Sequence, residues 1–227
     1  MKFTQSQSAT ITLGATVAIG EYEGHVTNAK PGNYRVYEVQ RETGSKETAL
    51  LFVHEDNTQD INELLPTVDV DAFCGVDGGT YGLVTKSEKD EYSEWSERWF
   101  DCQNHTDGYV ANTNYGDGDF SVYTNEDHSV FLLDDEDIYL QTLLADHNIN
   151  YEDDLENMNW FSFTDEYIKV VYRTPLTHES TTLKRPIDTS IRKIDNIVSA
   201  LVDVAQLTRI NTIVNELEDE SQLTQDN

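Results

Sequence analysis

Residues 33–41 (NYRVYEVQR) alternate with a period of two, Tyr34, Val36 and Glu38 falling opposite Arg35, Tyr37 and Val39. That period places successive side chains on opposite faces of a strand. A turn over residues 42–46 and a return through 48–54 (TALLFVH) complete a predicted hairpin. Upstream, residues 8–19 are rich in Thr, Ile and Val around Gly14 and predict one or two strands. A short strand over 25–28 ends at Lys30-Pro31-Gly32. Around Ile61, Leu64 and Leu65 an acidic, polar stretch predicts one helical turn before Pro66. Strands over 70–76 and 80–85 flank the turn Asp77-Gly78-Gly79. The period then changes: Tyr92, Trp95 and Trp99 stand at i, i+3 and i+7, one face of a helix within residues 87–102, with Glu91, Glu94 and Glu97 on the others. Core packing of this helix is the expected role of the tryptophans; stacking on a base or sugar is the alternative.

The stretch that anchors the fold prediction is 108–133, GYVANTNYGDGDFSVYTNEDHSVFLL. Three β-like runs are separated by turn signals at 115–119 and 125–128, so it reads as a compact β-meander. Asp134, Asp135, Glu136 and Asp137 then open a predicted helix reaching about His147, acids in the first turn complementing the helix dipole. Two more strands are expected over 160–163 and 167–173, and a linker over 175–187. A long helix closes the chain over 188–220, with Ile191, Ile194, Val198 and Leu201 at seam spacing. Leu207, Ile210, Val214 and Leu217 repeat the seam after a phase shift. The seam either packs on the domain or pairs with a second copy. The whole predicts an α+β fold: a mostly antiparallel sandwich or barrel-like domain over 1–174, two packed helices, and the long C-terminal helix.

Charge changes this picture most. The 227 residues hold 15 Lys and Arg against 43 Asp and Glu, a net charge of −28, and residues 91–180 alone contribute 3 against 21. Such a field repels nucleic acid and anionic membrane, and attracts basic proteins at salt-sensitive rates. Solubility alone, or life at high salt, is the plainer use of it. The apolar share of 37% is low, yet 12 Tyr, 8 Phe and 3 Trp supply large side chains for a core.

Candidate chemistry is sparse. Cys74 and Cys102 match no zinc spacing, and the six histidines are scattered. No leader is visible, and no apolar run is expected to approach the roughly 18–20 residues of a membrane helix, so a reduced cytoplasm, bacterial or phage-infected, is expected. Nucleophile-elbow, phosphate-loop, zincin and dinucleotide motifs do not occur. Asn112, Asn114, Asp117 and Asp119 space oxygens as a calcium loop would, but Tyr123 stands where the closing glutamate belongs. No cofactor or metal is expected. Were the protein an enzyme, Asp77 and Asp117 would be its catalytic pair: if the two glycine turns converge near Tyr81 and Tyr115, their carboxylates suit acid–base hydrolysis.

The run Val76-Asp77-Gly78-Gly79-Thr80-Tyr81-Gly82, then Gly108-Tyr109-Val110 leading to Tyr115-Gly116-Asp117-Gly118, resembles a bacterial and phage domain-of-unknown-function family of soluble, β-rich proteins. Ala18-Ile19-Gly20 and Lys30-Pro31-Gly32-Asn33-Tyr34 resemble its N-terminal part, so the likeness spans about residues 15–133. It implies a fold rather than an activity. Gly78 stands where that family has serine, and Phe120 where it has tyrosine; a serine nucleophile, if the family used one, is missing here.

Three functional expectations follow. The first is a non-enzymatic acidic module that captures a basic or nucleic-acid-binding protein, in its sharpest form a nucleic-acid mimic of the phage counter-defence kind. Its surface would be Asp134, Asp135, Glu136, Asp137, Asp146, Asp153, Asp154 and Glu156, with no direct contact to nucleic acid or membrane. The second is a small hydrolase or small-molecule binder using the Asp/Gly turns. The third is an assembly protein that oligomerises through Ile191, Ile194, Val198 and Leu201.

Overall fold

The computed structural model describes residues 3–20, 25–41, 48–76, 78–86, 99, 106–114, 116–135 and 137–225, with side chains of the last helix described to residue 217. The chain divides into two compact units, Met1–Tyr139 and Leu140–Asn227. The fold is α+β, as its sequence predicts, with three antiparallel sheets and no closed barrel among the described residues.

The first unit holds β1 (Phe3–Leu13), β2 (Thr16–Ile19), β3 (His25–Asn28), β4 (Gly32–Arg41), β5 (Ala49–His54), α1 (Ile61–Leu64), β6 (Asp69–Val76), β7 (Thr80–Thr85), β8 (Gly108–Asn112), β9 (Gly118–Thr124) and β10 (Val130–Asp134). Six strands form one sheet in the order β1-β4-β5-β10-β9-β6, and four form another, β3-β2-β7-β8. The expected hairpin is β4–β5, with Val36 opposite Phe52. Phe52, Phe131, Leu133 and Val122 of the larger sheet share one core cluster with Val17, Ile19, Tyr81 and Leu83 of the smaller. Each such side chain fully buried is worth about 1.5–3 kcal/mol of transfer free energy.

Strands β5 and β10 do not alternate in sequence because both of their faces are covered. Leu51, Val53, Val130 and Leu132 point away from the shared core and are still buried. Tyr139 helps to cover them: its ring meets Tyr123 edge-on at 5.0 Å, and its hydroxyl donates to the Leu65 carbonyl at 2.8 Å. On the outer side of the smaller sheet, Trp99 is buried with Ala18, Val84 and Val110, and its indole N–H donates to Thr80 Oγ1 at 3.1 Å. Trp99 is therefore a core residue. The rest of the predicted helix over 87–102, with Trp95 and Cys102, lies outside the described residues.

The meander expectation is corrected. β9 and β10 pair, but β8 pairs with β7 in the smaller sheet, and β6 pairs with β9 in the larger. The chain leaves the larger sheet after β6 and re-enters it before β9, so both glycine turns are crossings between sheets. Backbone approach favours this pairing: a Cβ on Gly82 would sit 2.7 Å from Val110 Cα, and one on Gly108 2.9 Å from Val84 Cα.

α2 (Ile138–Ala145) runs across the boundary between the units, and the second unit continues with α3 (Tyr151–Asp154), β11 (Met158–Phe163), β12 (Tyr167–Arg173), β13 (Ser180–Pro186) and α4 (Lys193–Gln225). Residues 180–186, expected within a linker, are the third strand of a β11-β12-β13 sheet. Its polar sequence fits an outermost strand whose residues are mostly exposed. α4 packs on β12, burying Ile194, Ile197, Val198, Leu201 and Val204 beside Ile168 and Val170. It begins later than expected because Asn196, buried in its first turn, donates to the carbonyls of Asp188 and Ile191 and accepts from the Asp188 amide, which holds 188–191 as a turn.

By length and composition the segment Lys193–Leu217 would suffice to cross a membrane, an 18-residue window within it having a mean hydropathy of 1.4. This corrects the expectation that no run reaches that length. Its two central charges are paired within the unit, Asp203 with Arg185 and Arg209 with Asp154, both at 2.7 Å, and its first half is the core helix of that unit.

Candidate functional site

The two glycine turns do converge. Gly79, at φ +67°, lies against Gly116, at φ +88°: a Cβ on Gly79 would sit 3.3 Å from Gly116 Cα. The Thr113 amide donates to the Gly79 carbonyl at 2.9 Å, and Val76 pairs with Gly118 across β6 and β9. Thr113 Oγ1 closes its own turn, accepting from the Gly116 amide at 3.0 Å and donating to the Gly116 carbonyl at 2.5 Å. Left-handed φ at both glycines lets the two crossings lie side by side.

Beside them is an open cleft of about 250 Å³ lined by Val76, Thr113, Gly116, Asp117, Gly118, Asp119 and Asp135. Asp135 is clamped: its carboxylate accepts from the Asn114 amide at 2.6 Å and from Asn114 Nδ2 at 2.7 Å. This clamp was not foreseen, because 21 residues separate its partners and no local pattern links them. Asp117 and Asp119 are exposed; Asp77 and Tyr115 lie outside the described residues. Tyr81 does not join the cleft. Its ring is buried edge-on to Phe120 at 5.5 Å, its hydroxyl donates to the Thr48 carbonyl at 3.3 Å, and burial pushes its pKa upward. Among the described residues, no three His, Cys, Asp or Glu gather as metal ligands.

The expected acidic surface separates into different roles. Asp134 is buried, 1% exposed, and accepts from the amides of Ile138 at 3.1 Å and Tyr139 at 2.8 Å, satisfying the first turn of α2. Asp137 is half-buried and accepts from Ser121 Oγ at 3.2 Å; Glu136 lies outside the described residues. In the second unit Asp146, Asp153 and Glu156 are exposed, as is Glu152. Asp153 accepts from Asn150 Nδ2. Asp154 is half-buried, gripped by Arg209 through Nε at 2.8 Å and Nη2 at 2.7 Å, and hydrogen bonding from Arg209 holds its pKa below the usual carboxylate range.

Of the expected oligomer seam, Ile194, Val198 and Leu201 are buried within the chain, and Ile191 is exposed. The phase shift has a geometric meaning. At 100° per residue, Leu207, Ile210, Ile213 and Leu217 lie on roughly the opposite face from the buried seam, and all four are exposed. Cys74 is buried, its thiol pushed up to about 12 by desolvation and by the charges of Asp71 and Asp119.

No family model, curated protein or solved structure matches this chain; of the resemblance carried by its glycine turns, the structure bears out the β-rich, antiparallel fold.

Proposed function

We propose that this chain is a non-enzymatic, acidic interaction protein that captures a basic or nucleic-acid-binding protein by charge, with a phage-type inhibitor as the sharpest form of the reading. The observation that supports it is the exposed carboxylate group of α3 and its flanks. Asp146, Glu152, Asp153 and Glu156 are all exposed and, among the described residues, none pairs with a cation. Four of the scarce cations are engaged elsewhere, Lys30 with Asp56, Lys193 with Asp165, Arg185 with Asp203 and Arg209 with Asp154. Unpaired exposed carboxylates steer a basic partner and set a steep salt dependence.

The test compares the immobilised native chain with D146N/E152Q/D153N/E156Q, which keeps the Asp154–Arg209 pair. Lysate is loaded at low salt and eluted with a salt gradient. The reading requires a basic protein held by the native chain and not by the variant, with its isolated affinity falling steeply in salt. Equal retention by both chains, or no selective retention, would overturn it.

A second reading, a small-ligand site, is favoured by the converged turns. It expects D117N/D119N to lose a ligand that the native chain binds in a small-molecule thermal-shift screen, without loss of stability. An unchanged ligand profile would remove it.

A further inference from the structure

In a chain with 15 cations against 43 carboxylates, residues 158–186 reverse the balance: Lys169, Arg173, Lys184 and Arg185 against Asp165, Glu166 and Glu179. The reversal is concentrated on one face. Ile168, Val170 and Tyr172 are buried on the side of the β11-β12-β13 sheet that packs α4, so alternation sends Tyr167, Lys169, Val171 and Arg173 to the other side. Register adds Trp160, opposite Val171, and Lys184, directly opposite Lys169. The remaining positions of that face are Ser, Thr and Pro, and the three carboxylates belong to the connecting loops.

Two like charges directly opposite each other on neighbouring strands destabilise a sheet. Here each is steadied by a ring: Lys169 Nζ lies 5.2 Å from the Trp160 ring centre, and Lys184 Nζ lies 3.7 Å from that of Tyr167. Neither ammonium meets a carboxylate among the described residues. Trp160 stays 50% exposed between the lysine pair and Arg173. Cations without carboxylate partners, interleaved with an exposed indole on one sheet face, form a surface for phosphates and a planar base.

We infer that this face binds a short segment of single-stranded nucleic acid, phosphates on Lys169, Lys184 and Arg173 and a base on Trp160. An acidic peptide would satisfy the cations but leave the indole without a flat partner. The net charge opposes approach from a distance, but the screening length at physiological salt is about 8 Å, so a contact is governed by the charges of this face. The whole-chain charge predicts no nucleic-acid contact, and the inferred site departs from that expectation at this one face. The inference does not rest on the proposed capture of a basic protein.

The test titrates a fluorescein-labelled twelve-nucleotide oligo-dT with the full chain in 100 mM NaCl, reading anisotropy and tryptophan emission. Saturable binding with a Kd of roughly 10–100 µM and quenching of tryptophan emission are expected. K169E/K184E should abolish binding, K169Q/K184Q should weaken it about tenfold, and Trp160→Leu should weaken it by a similar factor, each with an unchanged circular dichroism spectrum. D146N/E152Q/D153N/E156Q should bind the oligonucleotide at least as well as the native chain, which separates this face from the acidic one. No anisotropy change, or native affinity in both lysine variants, would overturn the inference. So would displacement by poly-glutamate at equal charge concentration, which would make an acidic protein segment the occupant.

Discussion

Asp134 turns its charge inward, and at the scale of single residues it shows how a carboxylate in an acidic run can serve folding. Its two oxygens meet the amides of Ile138 and Tyr139 in a buried setting, where an N–H left without a partner costs about 1–3 kcal/mol. Asp134→Ala should therefore lower unfolding free energy by about 2 kcal/mol, read as a shifted urea midpoint. Asp117→Asn, on an exposed carboxylate, should stay within about 0.5 kcal/mol of the native chain. Equal effects at the two positions would mean that Asp134 is not the cap. The tetrad 134–137 reads as one acidic surface in sequence, yet Asp134, Asp135 and Asp137 each accept hydrogen bonds from other residues of the chain. Sequence opens the helix at Asp134, whereas Asp134 ends β10 and the helix starts at Ile138; nor does it show which carboxylate turns inward, because that depends on the strand delivering it.

At the scale of elements, local patterns were legible and partner choice was not. The β4–β5 hairpin follows from alternation and a short turn, and β11 and β12 from their aromatic and β-branched runs. β8 reads as a neighbour of β9 because sequence adjacency favours it; the actual partner is β7, chosen by the fit of Gly82 and Gly108 against the opposing backbone. The convergence of the two turns was legible as a conditional, but the Asn114–Asp135 clamp beside them was not. Gly79 tests the crossing: at φ +67° and in contact with Gly116, Gly79→Ala should cost about 1–2 kcal/mol. A variant as stable as the native chain would show that the turns do not depend on that backbone conformation. α4 was legible as a helix with two apolar seams but not as a helix with two fates. Leu201→Asp should unfold the second unit, because Leu201 is fully buried, whereas Ile213→Asp, at an exposed position, should leave its stability unchanged. Loss of structure in both variants, followed by hydrogen exchange, would mean the outer stripe is covered as well.

At the scale of the whole molecule, the net charge of −28 sets a self-repulsion that folding must overcome. Added salt screens it, so the melting temperature at pH 7 should rise between 20 and 500 mM NaCl. The same salt weakens surface pairs such as Lys30–Asp56 and Lys193–Asp165, but exposed pairs contribute little, so screening of repulsion dominates. Acid separates two further effects of opposite sign. Ordinary exposed carboxylates begin to protonate as pH approaches about 4, relieving repulsion and shrinking the salt effect. Asp154 and Asp127 behave otherwise, because hydrogen bonds from Arg209 and Ser129 hold their pKa values down in the folded protein. Their stabilisation is fully present above the unfolded carboxylate value and is lost as pH falls through the lower folded one. The melting temperature at low salt should thus hold or rise on mild acidification and then fall at lower pH. The deficit of Asp154→Asn against the native chain should vanish over that lower window. A melting temperature that falls with salt at pH 7 would mean that attraction among surface pairs outweighs repulsion, and that the carboxylates left over for a basic partner are fewer than the sequence suggests.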